Sequence, residues 1–266
     1  MLKRVLTSAV VFTATFAAVP ANAHTSYMLP STFNTEREQT VTLECSFSED
    51  FSAPEIAVKS DDYHVVGPDG TRVDFETLAP FKQLMLMEHG LTDDGTYRFT
   101  TGVRLGRKSK RALIDGEWKF VFGPNADEMV ANAEAVKTSQ TETVADVYVS
   151  KGAPSWTPVR NTFGRLVFEP LTHPNEVFLE DEFQLKVSFD GTPMADKELT
   201  VYRRGGSYEE PKYKHAVSTD ENGIVSMPFE KPGIYMIMTR HRAEAPEGSE
   251  TDERGYTTSL TFEVMR

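Results

Sequence analysis

Hydrophobic and polar residues alternate along most of the chain in short runs, a pattern typical of β-strands that bury one face. Clusters rich in glycine, proline, asparagine and aspartate separate the runs, as in GPDG at 67–70 and DENG at 220–223, and such clusters form turns. One segment, residues 126–136, has a pattern that predicts a helix. The predicted strands are residues 41–47, 62–66, 95–101, 118–122, 144–149, 165–169, 182–189, 198–203, 224–228, 234–239 and 257–264.

Many short strands with almost no helix between them predict an all-β fold of antiparallel sandwiches rather than βαβ units. Tyr97 and Tyr235 each follow a turn and a glycine and enter a predicted strand, which is the pattern of the tyrosine corner in immunoglobulin-like sandwiches. This repeat predicts two immunoglobulin-like antiparallel β-sandwich domains. We place them at residues 24–150 and 165–266, joined by a linker at 151–164.

The first 23 residues have the pattern of a cleaved export signal. Lys3 and Arg4 form a positive region, residues 5–19 are mostly apolar, and ANA at 21–23 supplies a small-residue cleavage site. The apolar stretch is too short to remain as a membrane span. We therefore predict a signal peptide at residues 1–23, export to the periplasm, and a mature chain that begins at His24.

The composition is acidic, with 28 Lys and Arg against 40 Asp and Glu and a net charge of −12. Loss of Lys3 and Arg4 with the signal takes the net charge to −14. Nucleic acids and anionic membranes favour basic surfaces, so we expect neither as a partner. Cys45 is the only cysteine, which excludes an intramolecular disulfide and a cysteine-rich metal cluster. Its alternating surroundings predict a buried side chain on a strand.

Motifs of the common enzyme classes are missing from the sequence. It contains no G-x-S-x-G, no H-E-x-x-H, no phosphate-binding P-loop and no dinucleotide fingerprint. We therefore predict no catalytic residue and no enzymatic activity. The basic residues at 108–111 are expected to form a solvated loop.

A histidine at the start of the mature chain is a candidate metal ligand. The free α-amine and the ring Nδ1 of His24 can chelate one ion, and a further imidazole can complete a site of three nitrogens. Such ligands suit copper, nickel, cobalt or zinc. No two histidines are spaced as a local ligand pair, so the fold must bring a partner to His24. His173 and His241 are the candidates, since each follows a predicted strand.

Alternative interpretations of these residues stay open. In one interpretation, His24 has no role in metal binding and is simply the residue that follows the cleavage site. Met85, Met87 and His89 are soft and imidazole ligands of the kind that Cu(I) accepts, although the surrounding apolar run is more typical of a buried strand.

Several segments in the same order resemble the NikM-like exported family of unknown function, which is associated with periplasmic components of nickel and cobalt uptake. The resemblance implies a β-rich periplasmic protein that binds or delivers a transition metal beside a membrane transporter. It implies His24 as the best ligand, followed by His173 and His241. The segments are HTSYMLPS at 24–31, VVGPDG at 65–70, GTY at 95–97, LVFEPLTHPN at 166–175, GIY at 233–235 and YTTSL at 256–260.

The sequence hypothesis is thus a non-enzymatic, exported protein that binds nickel, cobalt or copper at a site built on His24. Its expected partner is a membrane metal transporter or another envelope protein. The alternative is a structural or protein-interaction module with no metal, in which sheet edges or loops bind a protein. A third interpretation, copper-dependent oxidation at the terminal histidine, lacks an aromatic substrate face in the sequence.

Overall fold

The protein is described by a computed structural model covering residues 24–37, 39–179 and 181–266. The export signal predicted at residues 1–23 lies outside these residues. Strands account for 54% of the structure and helices for 5%, which confirms the all-β fold class. No helix within the described ranges has the length and apolarity needed to cross a membrane.

Most of the predicted strands are present, with longer or shorter bounds. The first half contains β1 (Thr25–Pro30), β2 (Asn34–Thr35), β3 (Gln39–Ser48), β4 (Ile56–Ala57), β5 (His64–Val66), β6 (Arg72–Val73), β7 (Thr77–Pro80), β8 (Met85–Leu91), β9 (Gly95–Thr100), β10 (Arg104–Ile114), β11 (Glu117–Val121), helix α1 (Ala126–Ala131) and β12 (Ala135–Lys151). The second half contains helix α2 (Thr157–Arg160), β13 (Leu166–Pro170), β14 (Val177–Phe178), β15 (Phe183–Phe189), β16 (Thr192–Pro193), β17 (Glu198–Arg203), a 3₁₀ turn (Gly206–Tyr208), β18 (Lys214–Ser218), β19 (Ile224–Met227), β20 (Gly233–Glu244) and β21 (Glu253–Met265).

These strands form three sheets in the described part of the chain. The first outer sheet has the order β1-β3-β8-β7, with β4 beside β3. The central sheet has the order β18-β17-β20-β21-β12-β9-β5-β6, and β2, β10, β11 and β14 extend it. The second outer sheet has the order β13-β15-β16, with β19 on the other side of β15.

The central sheet has a hydrophobic core on each face. Along β12, Ala145, Val147 and Val149 belong to the core shared with the first outer sheet, whereas Tyr148 belongs to the core shared with the second. Along β20, Met236 and Ile237 divide in the same way. Because successive side chains of a strand point to opposite faces, one sheet serves both cores and the three sheets are stacked in layers.

The two halves of the chain meet where β12 pairs with β21. These strands run parallel, from Ser139 opposite Glu253 to Val147 opposite Thr261. The other pairs of long strands are antiparallel, including β20 with β21 and β12 with β10. The parallel pair therefore joins the strands of the two predicted domains into one continuous sheet.

Two local predictions are corrected by the structure. The basic residues 108–111 lie within strand β10, which is paired with β11 and β12, and not in a loop. The helix predicted at residues 126–136 ends at Ala131, and β12 starts at Ala135. Charged side chains tolerate a strand when they project from its exposed face, so hydrophobic alternation alone does not reveal β10.

Both predicted tyrosine corners are confirmed. The hydroxyl of Tyr97 donates to the carbonyl of Asp93 at 3.0 Å and accepts from the Asp93 N–H at 2.8 Å. The hydroxyl of Tyr235 donates to the carbonyl of Lys231 at 2.7 Å. Each bond returns to the residue four positions earlier, so each tyrosine fixes the turn before its own strand.

A buried ion pair anchors the segment between the two halves. Arg98 in β9 donates two bonds to Asp146 in β12, Nε to Oδ1 at 3.1 Å and Nη2 to Oδ2 at 2.6 Å. The remaining Nη1 donates to the carbonyl of Asn161, and the guanidinium lies 4.1 Å from the ring centre of Phe163. The predicted linker at 151–164 is thus packed against the central sheet.

We expect Asp146→Ala to lower the free energy of unfolding by about 3 kcal/mol or more, because it leaves the Arg98 charge buried without its partner. Urea denaturation measures the change. The double variant Arg98→Met/Asp146→Leu removes both charges and should recover most of the loss. A double variant that is no more stable than Asp146→Ala would contradict this account.

Candidate functional site

His24 directly precedes a strand that is buried along its whole length. All six residues of β1, from Thr25 to Pro30, are buried, and β1 pairs with β3 from Thr25 opposite Ser48 to Pro30 opposite Leu43. Ser259 of the central sheet donates its hydroxyl proton to the Ser26 carbonyl at 2.7 Å. Arg240 donates to the Thr25 hydroxyl at 2.9 Å. These contacts hold the backbone next to His24 in one position.

The ring of His24 is oriented by a carboxylate. Its Nε2 lies 2.8 Å from Glu55 Oε2, and Glu55 Oε1 accepts the backbone N–H of Glu49 at 2.8 Å. The Glu49 N–H, and then the His24 ring, hold the pKa of Glu55 below its usual range, so this carboxylate is ionised at neutral pH. An ionised carboxylate only accepts hydrogen bonds, and it therefore keeps a proton on Nε2.

The other ring nitrogen of His24 remains available. Nδ1 makes no hydrogen bond with any residue that the structure describes, and 37% of the side chain is exposed. A neutral ring with its proton on Nε2 carries a lone pair on Nδ1. Nδ1 is also the ring nitrogen closer along the covalent structure to the residue's own backbone nitrogen, and these two nitrogens of one histidine can chelate a single ion.

His173 is engaged in a different part of the fold. Its Nδ1 accepts the backbone N–H of Asn175 at 3.1 Å, and its Nε2 lies 3.1 Å from the Ser155 carbonyl and 3.2 Å from Thr96 Oγ1. Both ring nitrogens are therefore used within the protein, and the side chain is buried.

The segment around His173 holds several elements together. Asn175 donates to the carbonyls of Phe33 at 3.1 Å and Tyr148 at 3.0 Å, and its Oδ1 accepts the Ser150 hydroxyl at 3.0 Å. Phe33 follows the far end of β1 from His24, and six extended residues span about 20 Å. The Thr-His-Pro-Asn segment is thus a structural link at the opposite end of β1.

His241 lies on the other side of the central sheet. Its ring packs against Phe189 of the second outer sheet, with ring centres 4.5 Å apart. The adjacent Arg240 points instead to Thr25, and neighbouring strand residues project to opposite faces. The structure therefore does not bring His24, His173 and His241 together as the sequence analysis expected.

Two further histidines, His64 and His89, are buried and make contacts within the protein. His64 Nδ1 lies 2.6 Å from the Asp62 carbonyl, and His89 is surrounded by the rings of Phe75, Tyr97 and Phe99. Within the described residues, no group of three or more His, Cys, Asp or Glu side chains is arranged to hold a metal ion. The chelate predicted at His24 is a different kind of site, because one of its two nitrogens is the α-amine and not a side-chain atom.

Cys45 and the methionines of β8 behave as core residues. Cys45 is buried in β3, as predicted, and burial raises the pKa of its thiol to about 12. Met85 and Met87 are buried in the core beneath the first outer sheet. Their strand is buried on one face only, because Glu88 between Met87 and His89 is exposed. A protonated thiol and packed thioethers are poor metal ligands.

Glu55 and Arg240 are the site residues that sequence reasoning missed. Glu55 reaches His24 from a separation of 31 residues, and Arg240 reaches Thr25 from 215. Neither lies in a motif, so the register of β1 on β3 and the stacking of the sheets are needed to find them.

Three stacked layers of β-sheet with an oriented histidine at one edge define an all-β sandwich protein. The chain belongs to the family described as domain of unknown function DUF4198, whose profile matches residues 21–243. Comparison with curated proteins gives no match. The nickel and cobalt association of the NikM-like resemblance stays a prediction.

Several solved structures are similar over most of the chain, although none of them bears on its function at this level of similarity. Trypsin-activated alpha-2-macroglobulin from Escherichia coli shares 14% identity at a TM-score of 0.25, over 92% of this chain and 16% of that one. The Yersinia pseudotuberculosis adhesin InvE shares 12% at 0.24, over 92% and 61%. The D0-D1 domain of Intimin shares 8% at 0.23, over 89% and 96%. The chain thus spans about a sixth of the alpha-2-macroglobulin.

The buried histidines predict a loss of stability in mild acid. Burial lowers the pKa of His173, His64 and His89 in the folded chain. Below the ordinary pKa of about 6.5 the unfolded chain binds more protons than the folded one, so the free energy of unfolding falls as pH falls. We expect His173→Gln to lower the free energy of unfolding by about 2 kcal/mol at pH 7, because buried hydrogen bonds are lost. Between pH 7 and pH 5 the free energy of unfolding of this variant should fall by less than that of the unsubstituted protein.

Urea denaturation at pH 7 and pH 5 measures both effects. His215→Gln is the matched control, since His215 is exposed, and should behave as the unsubstituted protein does. An unchanged pH dependence in His173→Gln would show that this histidine does not contribute to the acid sensitivity.

Proposed function

We propose that the protein is an exported, non-enzymatic carrier of a transition metal, nickel, cobalt or copper, and that His24 at its mature N-terminus binds the ion. The observation that carries the proposal is the orientation of the His24 ring. Glu55 holds Nε2, while Nδ1 stays available on an exposed side chain. The ion is bound by the α-amine and Nδ1 after the signal is removed.

The contact with Glu55 supports this proposal because it has the form of a metal-site partner. A ligating histidine usually donates its second ring N–H to a carboxylate, which fixes the ring and raises the basicity of the ligating nitrogen. Buried β1 adds a second support, since it places the terminus reproducibly at the edge of the first outer sheet. Because the ring is already oriented, metal binding costs less conformational entropy of the His24 side chain.

The surroundings of His24 favour an open site. His173 and His241 lie elsewhere in the fold, so two protein nitrogens bind the ion and the remaining positions stay accessible to water or to a partner's ligand. An accessible, incompletely coordinated ion suits a carrier that delivers its metal better than it suits a structural site, in which the protein supplies all of the ligands. In the periplasm the partner is a membrane metal transporter or another envelope protein, and the acidic chain attracts cations.

Calorimetric titration with Ni(II), Cu(II), Co(II) and Zn(II) tests the proposal on the chain that begins at His24. We expect one ion per chain. His24→Ala should abolish binding because it removes the ring nitrogen, and one extra N-terminal glycine should abolish it because it moves the amine away. Glu55→Gln should weaken binding about tenfold, because the ring loses its orienting carboxylate.

His241→Ala is the matched control and should keep the full affinity, since His241 lies on the opposite face of the central sheet. Binding that is unaffected by both His24→Ala and the added glycine would refute the chelate. Nitrogen ligands generally bind Cu(II) most tightly, so only a departure from the order Co(II) < Ni(II) < Cu(II) > Zn(II) would indicate that the site selects one metal.

The alternative, a protein-interaction module without metal, is favoured by one observation. The hairpin of β10 and β11 and its flanks expose several large apolar side chains: Leu105 at 49%, Phe120 at 46%, Phe122 at 77% and Val136 at 41%. The register places Phe120 on one face of this hairpin and Leu105 and Val136 on the other, and exposed apolar side chains on a sheet surface are typical of contact surfaces. Absence of metal binding in the titration would leave this function as the better account.

A further inference from the structure

A wide groove lies between the first outer sheet and the start of β10. Its volume is about 1060 Å³. One side contains Phe47, Ile56 and Phe81, of which Ile56 is 53% and Phe81 57% exposed. The other contains Arg104 and Arg107 of β10. The groove therefore combines an apolar surface with positive charge.

The charge of this groove is unusual for so acidic a chain. Among its described lining residues, Lys59, Lys82, Arg104 and Arg107 are basic, and none is aspartate or glutamate. None of the four makes an ion pair with a described residue. Several basic side chains elsewhere are paired with carboxylates, as in Arg165 with Asp190, Arg254 with Glu142 and Arg111 with Glu253. Four unpaired cations around one groove create a local positive potential.

Arg104 is held in position before any ligand binds. Its guanidinium carbon lies 4.9 Å from the ring centre of Phe47, and its Nε donates to the Lys59 carbonyl at 2.6 Å. Burial, with a further contribution from the charge of Arg107, lowers the pKa of Arg104 from its ordinary value. An anion beside this pair would relieve that repulsion, and a guanidinium offers it two parallel donors.

Arg107 is placed by a β-bulge. Opposite β12, Leu105 faces Glu142 but Lys108 faces Gln140, so Gly106 and Arg107 share the space of one residue. A Cβ at position 106 would lie 2.0 Å from the Thr141 hydroxyl, so any larger residue there would have to displace that side chain. Bulges of this kind redirect a side chain and are frequent beside functional sites.

We propose that this groove binds a small organic anion, in which a phosphate, sulfate or carboxylate group is attached to an apolar or aromatic body. Arg104 and Arg107 bind the anionic group, with Lys59 and Lys82 at the rim. Phe81 and Ile56 contact the apolar body. The groove has the volume of sites that hold organic ligands, which is far more than an inorganic anion fills.

Calorimetry with three probes on the metal-free protein tests the proposal: phenyl phosphate, inorganic phosphate and phenol. Phenyl phosphate carries both chemical features, and each of the other two carries one. We expect phenyl phosphate to bind one per chain and at least about tenfold more tightly than either, since 1.4 kcal/mol is a factor of ten. Because no metal is added, the result is independent of the His24 chelate.

Lys82→Gln/Arg107→Gln should weaken phenyl phosphate binding about tenfold or more, and both side chains are exposed, so the fold should remain intact. The matched control Arg37→Gln/Lys119→Gln removes the same charge from exposed positions outside the groove and should keep the affinity. Phe81→Ala should weaken phenyl phosphate while leaving inorganic phosphate unchanged. Arg104→Lys, which keeps the charge but not the two parallel donors, should weaken both anions.

Three results would overturn the proposal. One is an absence of phenyl phosphate binding at about 1 mM, where a site of this kind should be detectable. The second is equal weakening in the groove variant and in the control variant, which would indicate attraction by diffuse surface charge. The third is an unchanged affinity in Lys82→Gln/Arg107→Gln.

Discussion

The parallel pairing of β12 with β21 determines the arrangement of the rest of the molecule. A short turn can connect two antiparallel strands. These two strands are parallel and come from different halves of the chain, so only the packing of the whole molecule brings them together. Both become buried on two faces, so each packs against both outer sheets. In β21 large apolar residues such as Phe262 face the second outer sheet, whereas Ser259 faces β1 and bonds to it. Small hydroxyl side chains on that face let β1 approach closely.

That close approach gives the first residues of the predicted mature chain a fixed place. A strand that begins two residues after a predicted cleavage site would ordinarily fray, because terminal segments contribute little buried area. Here β1 is enclosed between β3 and the central sheet, and Arg240 and Ser259 bond to its first two residues. The position of His24 is thereby a consequence of the layered core, and Glu55 then selects the orientation of its ring.

The sequence predicts local features of this fold much better than it predicts the contacts between distant elements. Alternation locates the strands around Cys45 and Tyr97, and both tyrosine corners follow from a turn, a glycine and a tyrosine. Strand β1 was missed because all of its residues are buried, which removes the alternation. The role of His173 was missed for another reason: its partners Thr96 and Ser155 come from separate segments, and their meeting depends on how the sheets stack. The register of β12 on β21 has no local signal at all.

Strand β4 connects the terminal histidine with the basic groove. Glu55 precedes this two-residue strand and bonds to His24, whereas Ile56 within it lines the groove. The strand is short, and Ser46 secures it by accepting the Glu55 N–H at 3.2 Å while donating to the Gln83 carbonyl at 2.6 Å. A ligand that moved the backbone at Ile56 would also move the neighbouring Glu55, whose carboxylate orients the His24 ring. Such a shift would couple the free energies of binding of the two proposed ligands, and by linkage the coupling would act equally in both directions.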